Sequence, residues 1–286
     1  MLESLINPKR AKKGPWKMLL VGILYGSLSL LLAKLFFSGD PVLSKFSGLI
    51  VVTFCVMFSL PFMYYIIKRE EQEDEEIEGL LHVWKAHRKA IFALMWLFLG
   101  FVIAFSFWNI VLQDSNLLNA QVETYCAINS PSNIESCFNQ YSINGSDSIT
   151  GNFSKTGRFF SILENNIYVM IFTLIFSLIF GAGAIFILAW NASVIASAIG
   201  IFSKYKIAEI PLGLSRYMIH GLPEIAAYFI TALAGGILGV GFIRNGIKSK
   251  KFVRVLENVI ILLFVSLIIL VIAGLIEVYF TPLLFS

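Results

Sequence analysis

The sequence predicts an all-α, polytopic transmembrane helical bundle, and three observations predict it. Of the 286 residues, 57% are hydrophobic and only 14% are charged, whereas a soluble domain carries roughly 25% charged residues. Mean hydropathy is +0.79, so there is too little polar material to coat a water-soluble globule. Several apolar runs reach the roughly 20 residues that a helix needs to cross a bilayer core. In lipid the backbone must satisfy itself, which leaves helices and closed barrels, and these runs lack the alternation of barrel strands.

Residues 1–15 form a basic tail with Lys9, Arg10, Lys12 and Lys13, and Lys17 follows it. The next apolar run is too long for a signal-peptide core and no small-residue cleavage site follows it, so it reads as a first span, about Trp16–Phe37. A second span covers about Phe46–Ile67, with Pro61 near its end, and a third about Ala90–Leu112. These make an N-terminal unit, 16–112, whose charged segment 68–89 separates spans two and three. A polar loop, 113–165, precedes a membrane core, 166–286. The core opens on a long apolar stretch, Asn166–Phe202. A mixed segment 203–221, a span at about Leu222–Ile243, a basic connector Arg244–Arg254 and a last span at about Val259–Phe280 complete it.

That arrangement gives about six spans. The stretch 166–202 holds roughly 37 residues, too many for one crossing and slightly few for two. It is read as one full span to about Trp190, then a broken or re-entrant helix near 191–203, with Gly181, Gly183 and Asn191 as break points. A tilted long helix is the alternative. The choice has a topological consequence. A single crossing leaves the basic connector outside, against the positive-inside rule, whereas an extra or partial crossing returns it inside.

Lysine and arginine beside the spans set the orientation. The segment 68–89 carries Lys68, Arg69, Lys85, Arg88 and Lys89, while the loop 113–165 carries only Lys155 and Arg158. The expectation is a multi-pass protein of the cell membrane, with its N-terminus and 68–89 in the cytoplasm and 113–165 outside. In that loop Asn144-Gly145-Ser146 and Asn152-Phe153-Ser154 are glycosylation sequons. Cys126 and Cys137 either form a disulfide or stay as two thiols, and Cys55, inside a span, reads as packing. The acidic run Glu70–Glu78 reads as a solvated face. Ile77, Leu80, Leu81, Trp84 and Ile91 recur beyond it at helical spacing, which predicts an amphipathic helix running into the third span.

Small residues mark where helices approach closely. Ala227, Thr231, Gly235 and Gly239 fall four apart on one helix face, and Gly22 and Gly26 do so in the first span. Such stripes serve internal packing or a homo-oligomer seam. A second set of residues is polar. His220 and Glu224 flank Pro223 at the expected start of the Leu222 span, where proline suits the first turn and a carboxylate suits the positive helix end. Asn191 sits in an apolar run, and a polar group at membrane depth is a functional candidate. Arg216, Glu209 and Arg244 are candidates to close a polar cluster around them, though spacing in the sequence does not show that they meet. One histidine and one carboxylate do not complete a zinc site. No phosphate-binding glycine loop, nucleophile elbow or zinc-helix motif is present, and no cofactor is implied. Nor is there a basic stripe with interleaved aromatics, so nucleic acid is not an expected partner.

Trp190-Asn191-Ala192-Ser193, then His220-Gly221-Leu222-Pro223-Glu224-Ile225-Ala226-Ala227, then Ala234-Gly235-Gly236-Ile237-Leu238-Gly239, resemble the stage II sporulation protein M family. The resemblance covers roughly 160–280 and marks Asn191, His220, Gly221 and Glu224 as family-pattern positions. It implies a non-catalytic membrane scaffold, which in sporulating bacteria works with peptidoglycan-degrading partners. The function expected here is a membrane scaffold or membrane-organising protein, a homo-oligomer in the bilayer with membrane or cell-envelope protein partners. A transporter with a polar site near Asn191, His220 and Glu224 is the alternative, and an intramembrane metalloenzyme is the third reading.

Overall fold

The computed structural model describes residues 14–40, 42–74, 80–112, 117–129, 134–141, 155–180, 184–246 and 248–284. Among them the regular elements are all helical. Helix α1 spans Lys17–Phe37, α2 Ser47–Asp74, α3 Leu80–Leu112, α4 Asn119–Asn129 and α5 Ile134–Tyr141. Helix α6 spans Lys155–Phe180, α7 Ala184–Phe202, α8 Ile210–Asn245 and α9 Lys250–Leu275. A π-helical turn, Ile276–Phe280, carries α9 into the short α10, Thr281–Leu284. Seven of the described helices are long and apolar enough to cross a membrane: α1, α2, α3, α6, α7, α8 and α9. The class is the polytopic helical bundle that the apolar runs predict.

The stretch 166–202 holds parts of two described helices, α6 and α7, each long and apolar enough to cross a membrane. The described helices there are α6, to Phe180, and α7, which runs from Ala184 through Asn191 to Phe202, so Asn191 is not a break point. Gly181 and Gly183 themselves lie outside the described residues. Asn191 does not break α7, because its Nδ2 donates to the Ile187 carbonyl one turn back, at 2.7 Å. The amide is satisfied inside its own helix, which removes the reason for a re-entrant segment near 191–203. The 19 residues of α7 measure about 28 Å, close to the thickness of a bilayer core. Lys204 (φ 49°) and Tyr205 (φ 55°) then turn the chain in the left-handed region, with their N–H groups bonded back to the carbonyls of Ile201 and Gly200.

A second correction concerns the span expected from Leu222. Helix α8 begins at Ile210, with Pro211 in its first turn. Residues 210–221, read as a mixed segment, are its opening turns. They are helical because they pack: a Cβ at Gly213 would lie 3.1 Å from the Ile199 side chain of α7. Pro223 is therefore interior and Glu224 does not face a helix N-terminus. The dipole argument for Glu224 falls with it.

The small-residue stripes are covered by helices of the same chain. Gly22 of α1 meets the Leu97 carbonyl of α3, and a Cβ there would lie 3.0 Å from the Gly100 Cα. One turn on, Gly26 faces Ala104 at 3.0 Å. On α8, a Cβ at Gly235 would lie 2.8 Å from the Leu174 carbonyl oxygen of α6, and Gly239 abuts the Leu178 carbonyl. Ala227 is fully buried. Thr231 Oγ1 lies 2.9 Å from the Ala227 carbonyl and 3.1 Å from Ser266 Oγ of α9. Small side chains let these backbones approach, and dispersion and weak Cα–H···O contacts hold them without a hydrophobic driving force. The stripes are internal seams, so they do not offer a free face to a second copy.

Side-chain ties fix which helix ends lie together. Arg244 at the end of α8 donates to Glu71 near the end of α2 at 2.9 Å, and His87 near the start of α3 contacts Glu70 of α2 at 2.8 Å. At the opposite end Gln121 Nε2 of α4 donates to the Gly48 carbonyl of α2 at 3.0 Å, and Phe159 of α6 packs on Gly274 of α9. The connector between α8 and α9 thus shares an end with the segment 68–89. The crossing made by α7 brings their basic residues together.

Two helices, α4 and α5, lie within the stretch read as a polar loop. Cys126 and Cys137 join them as a disulfide, with Cα atoms 5.7 Å apart. The expected result of changing both cysteines to serine is a loss of roughly 2–3 kcal/mol from this cap, since the bridge closes a short loop. Hydrogen exchange should accelerate in α4 and α5 and leave α8 unchanged; unchanged exchange in α4 would count against the bridge as the clamp. Asn144 and Asn152 lie outside the described residues. Asp40, between α1 and α2, caps the 3-10 turn Leu43–Phe46: its Oδ1 accepts from the N–H groups of Leu43 and Val42, both at 2.8 Å. Those two bonds hold its carboxyl below the ordinary carboxylate range.

Candidate functional site

His220, Glu224 and Tyr228 fall four apart on α8 and so share one face. Glu224 Oε1 accepts from the Tyr228 hydroxyl at 2.8 Å. The Asn166 side chain of α6 hydrogen-bonds the same carboxyl. Across from them stands the π-helical turn after α9. His220 Nδ1 lies 3.2 Å from Thr281 Oγ1, and that hydroxyl donates to the Ile276 carbonyl at 3.2 Å. Glu277, in the same turn, lies close enough for its charge to act on Glu224. A π turn inserts one extra residue into a helix, and such turns recur at functional sites. Polar side chains from α6, α8 and the end of α9 thus meet at one depth, about 21 Å along α8 from Ile210.

The cluster joins α6 to α8 through Asn166 and Glu224, and α8 to the turn after α9 through His220 and Thr281, with hydrogen bonds where lipid offers none. Among the described residues no group of three or more His, Cys, Asp or Glu is arranged to hold a metal ion.

The predicted site residues are only partly brought together. His220 and Glu224 sit in the cluster. Asn191 spends its amide on Ile187 of its own helix. Arg216 lies over the Phe202 ring, 4.7 Å from its centroid, in a cation–π contact that ties the starts and ends of α8 and α7. Arg244 is about 42 Å from Arg216 along α8 and cannot close a cluster with it; it pairs with Glu71 instead. Glu209 is exposed, in the 3-10 turn Ile207–Glu209 before α8.

Sequence reasoning missed Asn166, Tyr228, Glu277 and Thr281. Tyr228 stands one turn beyond Glu224, and Glu277 is the one charged residue in the last apolar run, a signal that intramembrane ionisable groups carry by default. It also missed the other end. Glu70 and Glu71, read as part of a solvated face, are fully buried. The His87–Glu70 contact is sealed, with side chains 0% and 1% exposed. The buried face of α3 there is Val83, His87 and Ala90, and Trp84, expected on the apolar face, is 36% exposed.

Comparison with known proteins extends the likeness beyond the second half of the chain. The family described as Stage II sporulation protein M matches residues 18–282, which takes in the three N-terminal crossings. An uncharacterised protein of Methanocaldococcus jannaschii is 33% identical over 130 residues, covering 44% of this chain and 71% of that protein. No solved structure matches. A match running from the first crossing through the π turn, over the whole described bundle, places the chain in the Stage II sporulation protein M family.

Proposed function

We propose that the protein is a non-catalytic scaffold of the cell membrane, which holds other membrane or cell-envelope proteins in place. The observation that carries this reading is the set of backbone-close seams, Gly22 on Leu97 and Gly100, Gly235 on Leu174 and Gly239 on Leu178. Such seams favour a stiff bundle over one whose helices slide. The disulfide-tied α4 and α5 add a braced cap at one end. The family supports a membrane protein and leaves the role open. Placing the N-terminus, the segment 68–89 and the α8–α9 connector in the cytoplasm accords with the positive-inside rule, because each is rich in lysine and arginine and Arg244 ties the connector to Glu71 at the start of that segment. The cap then faces outward, where envelope partners are. Self-association belongs to this reading too, through faces other than the glycine stripes.

The test is photo-crosslinking in native membranes from Ser136, exposed on α5. The expected result is one or a few reproducible protein adducts, absent when the crosslinker sits at exposed Ile260 of α9, which faces lipid. A ladder of lipid adducts alone from both positions would count against a scaffold.

A second reading is transport, and the cluster around His220 and Glu224 favours it, because Glu224 and Glu277 are carboxyls at membrane depth. Purified protein in liposomes decides between the two. A proton or cation flux that Glu224→Gln abolishes would replace the scaffold reading, and the absence of flux agrees with it.

A further inference from the structure

We propose that the C-terminal ends of α3 and α7 hold an ordered water molecule between Ser106 and Asn109. Ser106 is fully buried, and its Oγ has no hydrogen-bond partner among the described residues. Other buried hydroxyls of the bundle satisfy themselves one turn back. Ser29 donates to the Tyr25 carbonyl, Ser59 to that of Cys55, Ser197 to that of Ser193 and Thr231 to that of Ala227. The Ser106 hydroxyl makes no such bond on α3 and stays open to a ligand. A buried hydroxyl without a partner is destabilising, and ordered water is what such groups bind inside proteins.

Asn109 supplies the second contact. It is 4% exposed and lies three residues on, so it shares a helix face with Ser106, with Cβ atoms roughly 5–6 Å apart. One water making two bonds of about 2.8 Å spans that gap. The amide is positioned from α7. Its Nδ2 would lie 2.8 Å, and the Tyr205 Cε1 3.1 Å, from a Cβ built at Gly200. The missing side chain of Gly200 therefore leaves the space that the amide and the ring occupy. Tyr205 is held there by the left-handed turn that it forms with Lys204, a conformation costly for residues other than glycine and found at ligand clamps. A hydroxyl and an amide both donate and accept, and neither is charged, which suits water and not an ion. The site stands on other helices than His220 and Glu224, and it holds whether the chain organises partners or moves a solute.

The test is a cycle of thermal midpoints in one detergent, with Ser106→Ala, Asn109→Leu and the two together. If water joins the pair, Ser106→Ala lowers the midpoint by roughly 2–4 °C, because it takes one partner from the water and loosens its hold on the amide. The double variant should then fall by less than the sum of the single ones. An orphan hydroxyl predicts the other sign, since alanine removes a buried polar group that nothing satisfies. A midpoint that is unchanged or raised by Ser106→Ala, or strictly additive losses, would overturn the proposal. Should a variant fail to fold, a wild-type density map fine enough to resolve bound water decides. A solvent peak about 2.8 Å from Ser106 Oγ and within hydrogen-bond reach of Asn109 is expected, and a map that resolves water elsewhere and none here overturns the idea.

Discussion

Gly22→Leu is expected to leave little folded protein. At this position α1 and α3 touch backbone to backbone, and the first added carbon already meets the Leu97 carbonyl and the Gly100 Cα. Neither obstacle can rotate aside, so the helices must part and forfeit contact along their shared length. Overpacking a core with side-chain neighbours costs about 1–3 kcal/mol. Four carbons driven against backbone should cost roughly 4 kcal/mol or more, a large part of the 5–15 kcal/mol that ordinary proteins have. Fluorescence-detected gel filtration after heating in detergent reads this directly. Gly39→Ala is the control, because nothing lies within 4 Å of a Cβ there, and its midpoint should not move. A Gly22→Leu chain that melts with the wild type would show that α1 is not seated as described. Gly235→Leu should likewise lose folded material, and not change the mass of the particle, because Leu174 belongs to the same chain.

His87→Leu carries the second large effect. The imidazole and the Glu70 carboxyl meet at 2.8 Å with side chains 0% and 1% exposed. Taking the imidazole from a carboxyl sealed from water removes a close polar partner, which costs up to about 3–5 kcal/mol. Glu70→Gln placed in the same chain lowers the demand for that partner and should restore most of the loss. Arg244→Ala should cost less, since its guanidinium is 47% exposed and water screens it. The measurement is the thermal midpoint of the three variants in one detergent. An unrescued double variant would mean that the leucine harms packing and that the pair contributes little.

Residues whose meaning is local were legible in the sequence, and residues whose meaning depends on a distant partner were not. The apolar runs announce the bundle because lipid allows the backbone few alternatives. Gly22, Gly26, Gly235 and Gly239 announce seams because only small residues permit such an approach, though spacing does not say which helix fills each seam. Pro223 misled the reading, since proline at a helix start and proline inside a membrane helix look identical without knowing where packing begins. Asn191 misled it too, because an amide can satisfy itself one turn back. The buried Glu70 and Glu71 were illegible: a run of acids is usually hydrated, and His87 and Arg244 lie 17 and 173 positions away. Glu277 stood alone in its apolar run, but only the folded chain brings its charge near enough to act on Glu224.

Seven of the described helices are long and apolar enough to cross a membrane, and if each crosses once, an odd count sets Lys17 and Leu284 in different compartments. A fluorescent protein that matures only in the cytosol would glow when fused ahead of α1 and stay dark when fused behind α10. An enzyme active only after export would give the opposite pattern.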